Sequence, residues 1–144
     1  MRLRNLRWRA LGAVHRPLYR IGVGRRLRGV PVLELTTRGR RSGTEIRTML
    51  PYYEDRTSRF VIASKGGDPN HPAWYLNLVA NPGVMVRIGN QSSPHRAEAV
   101  SDPAERDRLY AIAVEANPGY LDYERRTRRK IPVVRLHPLV SPGT

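Results

Sequence analysis

Proline and glycine, 12 of each in 144 residues, cut this chain into segments too short for a helical bundle. The order of those segments then limits the fold. Val32–Thr37 is rich in β-branched residues and reads as a strand. Arg47–Tyr53 reads as a second, with Pro51 arguing for an edge or a bulge. Arg59–Ser64 is a third, after the polar turn Asp55-Arg56-Thr57-Ser58. Asp68-Pro69-Asn70-His71-Pro72 signals a loop and a helix start, which predicts a helix over Ala73–Ala80 stopped by Asn81-Pro82-Gly83. Val84–Ile88 and Pro94–Val100 pair as a hairpin across Gly89-Asn90-Gln91-Ser92. Asp102 and Pro103 open a further helix, with Glu105 able to reach back in a capping box. Leu109, Ile112, Ala113 and Ala116 give that helix one apolar stripe, and Asn117-Pro118-Gly119 ends it. A more polar helix over Tyr120–Arg129 and a last strand over Pro132–Leu136 follow. The order predicts an α+β fold with a mainly antiparallel sheet, not alternating βαβ units.

Charge divides the chain at its first strand. The net charge is +14, yet residues 1–30 hold nine arginines and no acid, and the first acidic residue is Glu34. Residues 1–29 thus read as a basic arm and 30–144 as the folded domain. Leu3, Leu6, Ala10, Ala13 and Val14 share a helical side, with Arg2, Arg9 and Arg16 opposite, before Pro17 ends the pattern. Such a helix either lies on an anionic membrane surface or packs its stripe on the domain. No apolar run approaches the roughly 20 residues of a membrane span, and arginines interrupt the N-terminus where a signal peptide would need an apolar stretch. With no cysteine, disulfides and thiol nucleophiles are excluded. These features predict a cytoplasmic protein, with the arm as the means of peripheral attachment to the inner face of the plasma membrane. His15, His71, His95 and His137 show no metal-ligand spacing, so no metal is expected.

Two loops carry the chemistry. Arg38, Arg40, Arg41, Ser42 and Gly43 follow the first strand, with Arg47 just beyond. They offer forked cations, a hydroxyl and glycine N–H groups to an anion. Ser64, Lys65, Gly66 and Gly67 repeat that chemistry after the third strand. One such loop alone reads as a solvated turn, but two read as a site. Trp74 and Tyr75 open the following helix and suit either a ring pocket or simple core. Tyr120 and Tyr123 share one face of their helix, as pocket wall, proton donor or packing. A ligand with a polyanionic tail and a flat apolar ring fits this set, which points to a cofactor and an enzyme.

In sequence order, Leu35-Thr36-Thr37-Arg38-Gly39-Arg40-Arg41-Ser42-Gly43, Ala63-Ser64-Lys65-Gly66-Gly67 and His71-Pro72-Ala73-Trp74-Tyr75-Leu76-Asn77-Leu78 with Asn81-Pro82 resemble the deazaflavin (coenzyme F420)-dependent nitroreductase family. Tyr120-Leu121-Asp122-Tyr123 and Arg129-Lys130-Ile131-Pro132-Val133 match it as well, so the resemblance covers about residues 30–138. It implies a split β-barrel with flanking helices, related to the flavin-reductase barrels. It implies that Arg40, Arg41, Ser42 and Gly43 hold the cofactor's phosphate and glutamate tail, that Ser64 and Lys65 lie beside the cofactor, and that Trp74 lies near the ring. Tyr120 and Tyr123 would close the substrate side. Relatives often carry lysine at the place of Arg41; arginine keeps the charge and changes the reach. The implied reaction is direct hydride transfer from reduced F420 to a small electrophile such as a quinone, nitro-compound or activated enone. Tyr120, Tyr123 or Ser64 would orient or protonate the acceptor. A homo-oligomer is compatible with this reading. The alternatives are the same barrel using FMN, which needs fewer cations, and a basic nucleic-acid-binding module supported by Arg125-Arg126-Thr127-Arg128-Arg129-Lys130. Against the latter, Phe60 is the only phenylalanine and no stacking sheet surface is evident, so no nucleic-acid partner is expected.

Overall fold

The computed structural model describes residues 26–27 and 30–139. The basic helix expected over residues 2–16 lies outside the described residues. The eight described strands are β1 (Arg26–Leu27), β2 (Val30–Arg38), β3 (Glu45–Pro51), β4 (Tyr53–Glu54), β5 (Arg59–Ile62), β6 (Gly83–Ile88), β7 (Gln91–Ala99) and β8 (Val133–Pro138). The three α-helices are α1 (Ala73–Ala80), α2 (Pro103–Ala116) and α3 (Gly119–Arg126). All strand pairs are antiparallel, in the order β1-β2-β6-β7-β8-β5-β4, with β3 on β2.

The sheet closes on itself through a single stretch of chain. β3 pairs with β2 from Arg38↔Glu45 to Val32↔Pro51, and one residue later β4 pairs with β5 at the far margin. Pro51 lacks an N–H, so the ladder can change partner there. The Tyr52 N–H, at the crossing, donates to the Pro31 carbonyl at 3.1 Å. This is the split barrel that the motifs implied, and the expected single strand Arg47–Tyr53 is divided at the point of closure.

Two cores share the same strands. Leu33, Leu35, Val61, Val84, Val86, Ala97, Val134 and Leu136 fill the barrel, with Trp74 and Leu78 of α1 packed among them. Phe60, Ile62 and Val133 face outward instead, against Leu109, Tyr110, Ala113, Tyr120 and Ile131. Phe60-Val61-Ile62 and Val133-Val134 are continuous apolar runs because both faces of β5 and β8 are covered, so successive residues enter different cores.

Local details refine the expected boundaries. The β6–β7 hairpin turns in two residues, Gly89-Asn90, with Ile88 opposite Gln91 and Gly89 at φ 62°. Asp102 Oδ2 accepts from the Glu105 N–H at 3.0 Å, as a cap should. Glu105 does not complete the box. Its carboxylate turns to Arg135 and Arg108, cations that offer more than one neutral N–H. The helix expected to run to Arg129 stops at Arg126, and Thr127 is extended at φ −129°, ψ 148°.

Asp55 ties the strands to α2. Its carboxylate accepts from Arg135 at 3.0 Å and Arg108 at 2.7 Å, and from the backbone of Thr57 and Ser58. The Arg135 bond first, then the others, hold it far below the usual carboxylate range against the cost of burial. Its contribution is therefore complete above about pH 4 and is lost as pH falls toward its depressed native value. Asp55→Asn should cost about 3 kcal/mol at neutral pH in urea unfolding and flatten the acid limb of the stability–pH curve.

Candidate cofactor and active site

The first cationic loop leaves β2 at Arg38 and returns at Glu45. Gly39 N–H donates to Thr44 O at 2.7 Å and Gly43 N–H to Gly39 O at 2.8 Å, which closes a tight ring. A Cβ at Gly39 would stand 2.6 Å from Ser42 Oγ, so a side chain there would displace that hydroxyl from its place in the loop. Arg38 Nη1 donates to Gly43 O, and Ser42 Oγ lies 2.7 Å from Thr44 Oγ1. Gly43 takes φ 73°, and nothing stands within 4 Å of where its Cβ would be. Arg38, Arg40, Arg41, Ser42 and Arg47 are exposed.

Helix α1 anchors this loop. The backbone N–H and Nη1 of Arg40 both donate to Asn77 Oδ1, at 3.2 and 3.0 Å, and Asn77 Nδ2 reaches Thr37 Oγ1 at 3.4 Å. Asn77 is buried at 1% exposure. One N–H of Arg40 is thus engaged within the protein, and the rest of its exposed guanidinium remains for an anion.

The second loop is a 3-10 turn at Lys65–Gly67 after β5. Lys65, Gly66 and Gly67 have φ of 46°, 62° and 82°, an unusual run for which two glycines are the cheap solution and Lys65 the strained member. α3 lies directly on it: a Cβ at Gly67 would come within 2.8 Å of Tyr123 O and 2.9 Å of Arg126 Cβ. Arg129 holds the turn in shape. Its guanidinium donates to Asp68 O at 2.8 Å, Ala63 O at 3.1 Å and Ser64 O at 2.8 Å. Its Nη1 also meets His71 Nδ1 at 3.0 Å. Arginine can only donate, so Nδ1 of His71 is the acceptor and the ring is neutral. Burial, then the Arg129 charge, lower the His71 pKa. The same ring packs on Tyr75 at 4.8 Å.

Both loops are therefore fastened to the segment His71–Asn77. Neither Arg129 nor Asn77 was among the expected site residues. Both stand in stretches that match the family, Arg129 also in a basic run and Asn77 as a polar residue inside an otherwise apolar helix, without any sign of what they hold.

The aromatic residues depart from expectation. Trp74 is 7% exposed and belongs to the barrel interior. Tyr120 is 3% exposed, with its hydroxyl 2.8 Å from that of Tyr53, and its carbonyl accepts from Tyr110 at 2.6 Å. Burial pushes its pKa far above the ordinary phenol value. Tyr120 packs in the apolar cluster under α2 and α3. Tyr123 is half-buried and stands edge-on to Tyr120 at 5.5 Å. Of the pair, it is the phenol nearer the surface. Ser64 and Lys65 are half-buried, Gly66 buried.

The chain is thus a split barrel with two cationic loops fastened to one helix segment. Residues 9–138 match the family described as F420H(2)-dependent quinone reductase. An F420H(2)-dependent quinone reductase of Mycobacterium tuberculosis strain H37Rv is 41% identical over 118 residues, 79% of this chain and 78% of that protein. The solved structure of an F420-H2 dependent reductase, FDR-A, is 39% identical, with a TM-score of 0.66 over 74% of this chain and 94% of that one. A further solved relative, described as a domain-swapped dimer, is 36% identical with a TM-score of 0.68 over 87% and 97%. The chain belongs to the F420H(2)-dependent quinone reductase family.

The donor set fits that cofactor. Arg38, Arg40 and Arg41 are exposed on the first loop, and the Lys65 loop is held to His71 through Arg129. A tail with a phosphate and several carboxylates needs that many cations.

Arg129→Ala should lower stability by about 3 kcal/mol, because three carbonyls lose their donor, and Arg129→Lys should rescue little because lysine lacks the fork. Removing the Arg129 charge should also raise the His71 pKa in an NMR titration. In the native protein the His71 contribution is complete above about pH 6.5. It fades as pH falls through the lowered native value, when a protonated ring would confront Arg129.

Proposed function

We propose that this protein is an F420-dependent oxidoreductase that passes a hydride from the reduced deazaflavin to a quinone-class acceptor. The observation that carries the reading is the common anchoring of two cationic loops, one by Asn77 and one by the Arg129–His71 pair. Family membership supplies the redox chemistry.

When bound, the reduced deazaflavin supplies two electrons as hydride. The chain's own task is to hold, orient and protonate. Arg38, Arg40, Arg41 and Arg47, with the Ser42 hydroxyl and the Gly43 backbone, neutralise and grip the anionic tail. Ser64, Lys65 and Gly66 border the cofactor, on backbone fixed by Arg129. Trp74 supports α1 from inside the barrel and acts on the ring only through the helix. Tyr123 orients the acceptor oxygen and can give it a proton, and Tyr120 braces Tyr123 from below. A nitro-compound or an activated enone presents the same electrophilic demand and is a second acceptor class. FMN, with one phosphate and no glutamate tail, would leave most of these cations without an anion.

Two further parts of the reading concern assembly and place. The basic arm, residues 1–29, would draw the enzyme to anionic lipid, where quinones reside. No described helix is long and apolar enough to cross a membrane. Liposome flotation with and without the arm tests this, and identical partitioning ends it. A homo-oligomer is the matching proposal for assembly, read by light scattering.

Fluorescence titration should show F420 binding far tighter than FMN. Arg40→Ala with Arg41→Ala should weaken F420 binding by about tenfold or more, as two charge-assisted contacts are lost. The rate with saturating F420H2 and menadione should fall much less. Equal F420 affinity in the double variant would refute the assignment. Tyr123→Phe should slow quinone turnover and leave F420 affinity nearly unchanged.

A further inference from the structure

A cavity of about 540 Å³ opens at the end of the barrel where β6 turns into β7. Arg59 of β5, Tyr52 at the barrel crossing, Val86 and Ile88 of β6, and Gln91 and His95 of β7 form its wall. None of them belongs to the two loops assigned to the cofactor.

Two polar groups on this wall are prepared for a ligand. The Arg59 Nε–H is buried and has no hydrogen-bond acceptor. Glu54 Oε1 stands 3.7 Å away, outside bonding range, while 41% of the Arg59 side chain remains open to solvent. The guanidinium carbon lies 5.8 Å from the Tyr52 ring centroid, so its plane has a neighbour to rest on. His95 is 3% exposed, and its Nδ1 lies 3.1 Å from Ser93 O. A carbonyl can only accept, so Nδ1 carries the proton and Nε2 keeps a lone pair. Burial lowers the His95 pKa, and the Arg59 and His137 charges act in the same direction, against the Ser93 bond. The cavity therefore combines a partly exposed cation with only a long contact to Glu54, an uncharged acceptor and the apolar side chains of Val86 and Ile88.

We propose that this cavity binds a small organic monoanion with a flat apolar body. Its carboxylate pairs with the open part of the Arg59 side chain, its body lies on Val86 and Ile88, and a hydroxyl donates to His95 Nε2. The volume falls in the range of small-molecule sites. The site is separate from the cofactor reading and stands whether or not F420 binds.

Calorimetric titration of the full chain with 4-hydroxybenzoate, benzoate and benzamide tests this. 4-Hydroxybenzoate should bind saturably and shift the His95 ring nitrogens in the NMR spectrum, with benzamide weaker by about tenfold or more for want of the charged pair. Arg59→Gln should lose about tenfold or more, whereas Arg41→Gln should leave the affinity unchanged. If Arg59→Gln fails to fold, Gln91→Trp at the exposed rim should fill the mouth and abolish binding. Absence of saturable binding, equal binding by Arg59→Gln or Gln91→Trp, or a loss in Arg41→Gln instead would overturn the proposal.

Discussion

One guanidinium keeps the two halves of the site in register. Arg129 places its donors on three carbonyls of the Ala63–Asp68 turn and on the ring of His71. Taking that cation partly out of water is costly, and burial lowers its pKa accordingly. The cost is offset by the four acceptors that its donors reach at once. The strained Lys65 backbone depends on this arrangement, as does the close seat of α3 on Gly67. α1 then carries the constraint to the first loop, since the segment that begins at His71 includes Asn77.

The division of labour between charges follows from exposure. Arg38, Arg40, Arg41 and Arg47 are exposed, so water reaches much of each guanidinium. Arg106, Arg129 and Arg135 are buried or half-buried and are matched to fixed acceptors. Sequence alone presents all of these as equivalent cations. What separates them is the set of acceptors that each meets, which only the fold reveals.

Much of the architecture was legible because local chemistry and tertiary demand agree. α1 spans the residues expected of it, between Pro72 and Asn81, and Asp102 caps α2 as its neighbours Pro103 and Glu105 suggest. Legibility failed where a distant partner decides. Glu105 abandons its own backbone for Arg135, and α3 ends early because residues 127–129 turn inward to place a guanidinium. Trp74 looked suited to a ligand ring because an aromatic after a loop reads alike whether it faces a pocket or a core. The two loops themselves were evident from composition, but not the residues that aim them. Asn77 and Arg129 act over 37 and 66 positions of chain, far beyond any local pattern.

The crossing at Tyr52 has one more implication. Residues 45–54 are shared property of both margins of the sheet. Peeling away either margin therefore drags on the other, and the ring cannot fray progressively as an open sheet can. Melting should engage the whole barrel at once, so amide protons on β2 and on β5 ought to exchange with a common opening energy although they lie at opposite ends of the ladder.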